Sequence, residues 1–165
     1  MLALATVKRN ATTNLKHIDK TLQDMRKITH PKTIEITLPV EPTAKGRPRT
    51  SFINGKVHTY NPERTMIAQN LIVACLAQYK DQCFAPHVPV RMMVTFYRTK
   101  PRWLKQSETM PVRKSDLDNY CKLVNDAING ILVEDDAQIT TLIASKRWSQ
   151  TNKGYIKVLL TEDSL

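Results

Sequence analysis

Residues 115–139 read SDLDNYCKLVNDAINGILVEDDAQI. Leu117, Cys121, Val124 and Ile128 recur at spacings of 4, 3 and 4, the period of one buried helix face. Gly130 follows as a stop, so a helix is predicted over about 117–129. Upstream, Val90, Met92, Val94 and Phe96 alternate with Arg91, Met93, Thr95 and Tyr97, the period of a strand buried on one side. Downstream, strands are predicted over about 138–148 and 155–161, joined by a turn at 150–154.

The earlier chain extends the same pattern. Ile34, Ile36 and Leu38 alternate with Glu35 and Thr37 and stop at Pro39 and Pro42, a half-buried strand. Ser51 to Thr59 reads as a hairpin turning at Asn54-Gly55. A helix runs from Pro62 to about Tyr79, its buried side expected around Ile67, Leu71 and Ala74. Strands and helices interleave. The fold class is therefore α/β (α+β): a single-domain mixed β-sheet flanked by helices.

Residues 1–31 stand apart. Leu15, Ile18, Leu22 and Met25 form one apolar stripe after possible caps at Thr12, Thr13 or Asn14, and Pro31 ends it. We expect an N-terminal amphipathic helical extension over 1–31, docked on the body or on a partner subunit, and a main domain over 32–165. A DNA-contacting arm is the alternative use of this helix.

The 165 residues suffice for one domain with a hydrophobic core. The net charge of +10 speaks for a polyanionic partner, nucleic acid first. Cys75, Cys83 and Cys121 are odd in number and lack CxxC spacing, so they read as reduced thiols and not as a disulfide frame or a zinc site. No apolar run approaches the roughly 18 residues of a membrane span, and the apolar start is too short for a secretory signal. A cytoplasmic protein is expected.

Against that basic background, the window from Asp116 to Asp136 holds Asp116, Asp118, Asp126, Glu134, Asp135 and Asp136, with Lys122 as its only base. Such an island repels a polyanion unless a cation stands between them. Asp116 and Asp118 converge if the chain is extended at Asp116 and its helix begins near Asp118. Lys122 lies one turn beyond Asp118. Hard carboxylate oxygens select Mg2+ or Mn2+ over zinc, and one or two such ions would activate water at a phosphodiester. The plainer reading makes Asp118 a helix cap with a solvated neighbour, and Glu134-Asp135-Asp136 a polar turn. Phosphate-binding glycine loops, HExxH and GxSxG motifs are absent from the sequence.

Asp116-Leu117-Asp118-Asn119, Lys122, the Asp126-Ala127-Ile128-Asn129-Gly130 run and Asp135-Asp136-Ala137-Gln138-Ile139 resemble, in order and separation, the motifs of the RusA family of Holliday-junction resolvases. Leu38-Pro39, Lys45-Gly46-Arg47-Pro48-Arg49 and Tyr60-Asn61-Pro62 resemble phage and prophage members. The resemblance covers about 33–161. It implies a RusA-like fold and a Mg2+-dependent endonuclease that acts as a homodimer on four-way DNA junctions, in recombination and repair. Carried over by position, the metal ligands are Asp116, Asp118 and Asp136, with Asp135 as the adjacent acid, and the functional lysine is Lys122. A four-way junction is two-fold symmetric, so paired symmetric nicks suit a two-fold dimer.

Two basic segments are candidate DNA contacts. Lys45, Arg47 and Arg49 fall within five residues, kept extended by Pro48. The loop from Tyr97 to Lys114 carries Arg98, Lys100, Arg102, Lys105, Arg113 and Lys114 against Glu108 alone. Trp103, in that loop, is expected to pack on the body. The four histidines are scattered, and only His58 lies near a basic segment.

Overall fold

The computed structural model describes residues 31–113 and 116–163. The helix expected within 1–31 lies outside the described residues, as do Lys114 and Ser115. The elements are β1 (Thr33–Leu38), β2 (Arg49–Ile53), β3 (Lys56–Tyr60), α1 (Glu63–Leu76), β4 (Val90–Arg98), α2 (Leu117–Ile128), β5 (Ile139–Trp148) and β6 (Tyr155–Glu162). A 3-10 turn extends α1 over Ala77–Gln82, and another spans Asp136–Gln138.

Four strands form one mixed sheet in the order β1-β6-β4-β5. β6 runs antiparallel to both β1 and β4, while β4 and β5 are parallel. Parallel neighbours need a crossover, and α2 supplies it. The side chains that alternation assigned to the interior are there: Ile34, Ile36, Leu38, Val90, Met92, Val94 and Phe96 are all 3% exposed or less. With Ile156, Val158 and Leu160 they form one sheet face, packed against Ile72 and Leu76 of α1 and Leu123, Val124 and Ile128 of α2. Burying each such side chain contributes about 1.5–3 kcal/mol. The fold is the mixed sheet with helices that the sequence led us to expect.

Two local readings need correction. α1 buries Thr65, Ala68, Ile72 and Leu76, whereas Ile67 and Leu71 are about half exposed. Apolar residues occupy more than one face of this helix, so periodicity could not choose between them. The deciding face includes Thr65, whose hydroxyl accepts a hydrogen bond from the Gly46 amide at 3.0 Å. The second correction concerns α2, whose N-cap is Asp116 and not Asp118.

The hairpin turns where expected. Asn54 and Gly55 have φ of 52° and 71°, the pair of positive values that a tight two-residue turn requires. At the far end of the sheet Asp163 ties three neighbours together, accepting from Arg91 Nη2 at 2.6 Å, Thr140 Oγ1 at 2.9 Å and Thr141 Oγ1 at 2.8 Å. The hydroxyls of Thr141 and Thr140, then the Arg91 charge, hold its carboxyl below the usual range.

Candidate active site

The site is built on the first turn of α2. Asp116 occupies the N-cap with extended backbone (φ −69°, ψ 142°), yet its side chain makes no capping hydrogen bond. The N-cap position normally turns a carboxylate back onto the helix amides; here it does not. Asp118 lies in the same turn and is exposed. Lys122 Nζ donates to Asp118 Oδ2 at 2.9 Å. That bond is the main reason the Asp118 carboxyl lies below its ordinary value. Cys121, behind this pair, has its thiol pushed up by burial and by the Asp118 charge, which keeps it protonated and unreactive.

The segment Lys45–Pro48 forms the opposite wall. The Lys45 amide donates to the Asn119 carbonyl at 2.9 Å, and the Lys45 ammonium pairs with Asp126 at 2.5 Å. Gly46 presses against α1: a Cβ there would stand 2.9 Å from Pro62 Cγ and 3.1 Å from Thr65 Oγ1. Between this strap and α2 is a cavity of about 410 Å³, lined by Gly46, Arg47 and Pro48 on one side and Asp116, Asp118 and Lys122 on the other. Sequence proximity gave no sign that these two segments meet.

Asp135 and Asp136 stand beyond the other end of α2. Asp135 caps the short turn, accepting from the Ala137 amide at 2.8 Å. Gln138 locks this turn in place. Its Oε1 accepts from the Glu134 and Asp135 amides at 2.8 and 3.4 Å, and its Nε2 donates to the Ala85 and Val88 carbonyls at 2.8 and 3.0 Å. Asp136 is exposed on the turn. A second cavity, of about 480 Å³, lies here between His87, Pro89, Asp135 and Gln138. In the chain, the 12 residues of α2, about 18 Å of helix, lie between the two acidic segments. Among the described residues, no three His, Cys, Asp or Glu side chains group closely enough to hold one ion.

Asp116 and Asp118 nevertheless suit Mg2+ or Mn2+, ions that take one or two protein carboxylates and complete their shells with water and substrate phosphate. Two hard oxygens facing a polar cavity meet that demand. Arg47 lines that cavity. Arg47, Arg49, Arg102, Lys105 and Arg113 are exposed, while Arg98 and Lys100 are half-buried. Lys114 lies outside the described residues. Trp103 does not pack on the body as expected, being 72% exposed. The loop around it carries its own apolar anchor, Leu104, at 8% exposure.

The family described as endodeoxyribonuclease RusA matches this chain over residues 39–159. The match spans the strap, α2 and the acidic turn. The chain belongs to the RusA family. Among its relatives is an uncharacterised Bacillus subtilis protein, YqaN, 33% identical over 141 residues that cover 79% of this chain and 97% of the relative. Another is the crossover junction endodeoxyribonuclease RusA of Lactococcus phage r1t, 28% identical over 132 residues, covering 78% of this chain and 95% of the relative.

Within this RusA-family chain, sequence reading overlooked the positioning roles of Gln138 and Asn119. A signal for Gln138 was present: it follows Asp135 by three residues, the spacing of a capping box. For Asn119 there was none, because a backbone carbonyl carries the contact.

Proposed function

We propose that this chain is a divalent-metal-dependent endonuclease that resolves four-way DNA junctions by paired symmetric nicks, in recombination and repair. The observation that carries this reading is the state of Asp116. It holds a capping position without capping, and instead faces, with Asp118 and Lys122, a polar cavity walled by a basic strap. Family membership supports the nuclease class, and the printed name of the phage relative supports the junction as substrate.

Asp116 and Asp118 would hold the cation, Mg2+ or Mn2+, which when bound supplies an activated water and a Lewis acid at the leaving oxygen. Lys122, bonded to Asp118 at 2.9 Å, would hold that carboxylate in position and meet a phosphate oxygen. Gly46, without a side chain, lets the strap lie close to α1 and opens the wall to a phosphodiester. Arg47, Arg49 and the cations of the 98–114 loop are the proposed phosphate contacts, and these read shape more than sequence.

A homodimer completes the picture. Among the described residues of one chain the acids of the Asp116-Asp118 and Asp135-Asp136 clusters form no metal-sized group of three, so an ion sharing both clusters would draw its third carboxylate, Asp136, from a second copy. β5 is an edge strand of the sheet, and exposed Leu142 and Ile143 lie on it. Both features suit a two-fold contact. Among the described residues no helix is long and apolar enough to cross a membrane, which accords with action on cytoplasmic DNA.

The deciding experiment is cleavage of a synthetic four-way junction beside linear duplex of the same sequence, with Mg2+ and with EDTA. Paired nicks in the junction alone, with metal, are expected. The capping bond of Asp135 favours a second reading, a non-catalytic DNA-binding protein with structural acids. Tight junction binding without nicks in Mg2+ or Mn2+ would establish that reading instead.

A further inference from the structure

Residues 99–113, which follow β4, are tied by short bonds: Thr99 Oγ1 donates to Glu41 Oε2 at 2.6 Å, Trp148 Nε1 to the Glu108 carbonyl at 3.0 Å, and Arg113 pairs with Glu108 at 2.9 Å. Lys100 Nζ donates to the Gln106 carbonyl at 3.3 Å. Within this frame is a cavity of about 350 Å³ lined by Arg98, Pro101, Trp103, Leu104, Arg113 and Trp148.

The chemistry of that lining is unusual for a surface loop. The Arg113 guanidinium lies 5.8 Å from the Trp103 ring centroid, and the Arg98 guanidinium 5.8 Å from that of Trp148. These are cation–π distances. Arg98 also lies 6.0 Å from the ring of Tyr120, two residues after Asp118, which connects the cavity to the first turn of α2. Leu104, at 8% exposure, anchors the loop, so its indole neighbour is held out by structure. Trp103 is 72% exposed all the same. Arg113 is three residues before Asp116, so their Cα atoms stand at most about 11 Å apart.

We infer that this pocket is a nucleobase site: it takes one unpaired base of a DNA strand, stacked on Trp103, beside the phosphate that Asp116 and Asp118 face. An exposed indole with one guanidinium near its ring, beside an apolar wall, matches a base, which is flat, polarisable and carried on an anionic backbone. Charge complementarity favours this occupant: Arg98 and Arg113 line the cavity, and Lys100, Arg102 and Lys105 belong to the same loop in the sequence. The branch point of a junction, where stacking is interrupted, offers bases in the required state. The inference rests on the DNA-directed reading above and adds a contact that phosphate binding does not need.

The test uses a property of the chain. It has two tryptophans, Trp103 and Trp148, and both line this cavity, so all indole emission reports on it. The full-length protein is titrated in EDTA with an oligothymidylate and with an abasic strand of the same length and phosphate charge. The thymidylate is expected to quench the emission and to bind roughly 5- to 150-fold more tightly than the abasic strand. Trp103→Ala, with Trp148 left as reporter, should bring the two strands to parity, whereas Trp103→Phe should keep most of the preference. Arg113→Lys, which keeps the charge and loses the guanidinium, should reduce the preference and serves if Trp103→Ala misfolds.

Equal binding of the two strands by the unaltered protein overturns the nucleobase site, as does binding of neither strand. An undiminished preference in Trp103→Ala and Arg113→Lys overturns it too. Junction nicking with Mg2+ is scored separately. Its absence would remove the endonuclease reading and leave a measured base preference standing; nicking without base preference would remove only the pocket.

Discussion

The Lys45 amide donates to the Asn119 carbonyl at 2.9 Å, fastening a strap from the start of the domain onto the first turn of α2, 74 residues later. This bond sets Gly46, Arg47 and Pro48 over the cavity that Asp116 and Asp118 share. The proposed chemistry therefore depends on a contact that neither segment could make alone.

Gly46→Ala tests the strap. Its Cβ would stand 2.9 Å from a proline ring carbon, closer than packed atoms tolerate. A loss of about 1–3 kcal/mol in stability is expected, with a larger fall in nicking than in junction binding. Thermal unfolding and a nicking assay measure the two. An unchanged melting temperature would show that the strap yields.

Asp116→Asn and Asp118→Asn are each expected to abolish nicking while junction binding persists or tightens, since a negative charge facing DNA is removed. Lys122→Ala should slow nicking with metal requirement nearly unchanged. Cleavage rates and gel-shift affinities on one junction separate these outcomes. Full activity in both aspartate variants would dismiss this cavity as the active site.

Gln138→Ala removes four hydrogen bonds, two that brace the turn at the Glu134 and Asp135 amides and two that tie it to the Ala85 and Val88 carbonyls. Groups that position metal ligands typically contribute 10- to 100-fold in affinity or activity, and a loss of about that size in apparent Mg2+ affinity is expected. Gln138→Glu keeps the acceptor and loses both donors, so it should be intermediate or worse. Metal titration of nicking rates measures this; wild-type values would make Gln138 a packing residue only.

The salt dependence of junction binding should distinguish the strap's cations. Arg47→Ala and Arg49→Ala each remove an exposed charge and should lower the log–log salt slope by about one. Lys45→Ala should lower it less, because Asp126 already neutralises that ammonium. Equal slopes for all three would mean that Lys45 leaves Asp126 when DNA arrives.

Asp163 gives the stability a pH dependence. Its folded value lies below the ordinary one, chiefly through Thr141 and Thr140 and then Arg91. Its contribution is therefore complete above the ordinary carboxylate range and is lost as pH falls through the lowered folded value. Asp163→Asn should melt below the wild type at neutral pH, and the gap should close in acid. A gap that stays constant would assign the effect to shape and not to charge.

The strands β1 and β4, the hairpin turn and the helix α2 were legible because their signals are local. Alternation of period two, a 4-3-4 spacing and an Asn-Gly pair each act within a few residues. The acidic motif and its lysine stood out as candidates for the same reason. The buried face of α1 was not, since more than one face is apolar and the choice fell to Gly46 reaching Thr65 from 19 residues away. Trp103 misled because propensity says that a tryptophan is buried, while a loop braced by Glu108 and Leu104 holds it outward. Sequence alone determined the element types, the sheet's inward side chains and the candidate ligands. Tertiary structure decided what stands opposite each of them, because those contacts join residues far apart in the chain and leave no periodic trace.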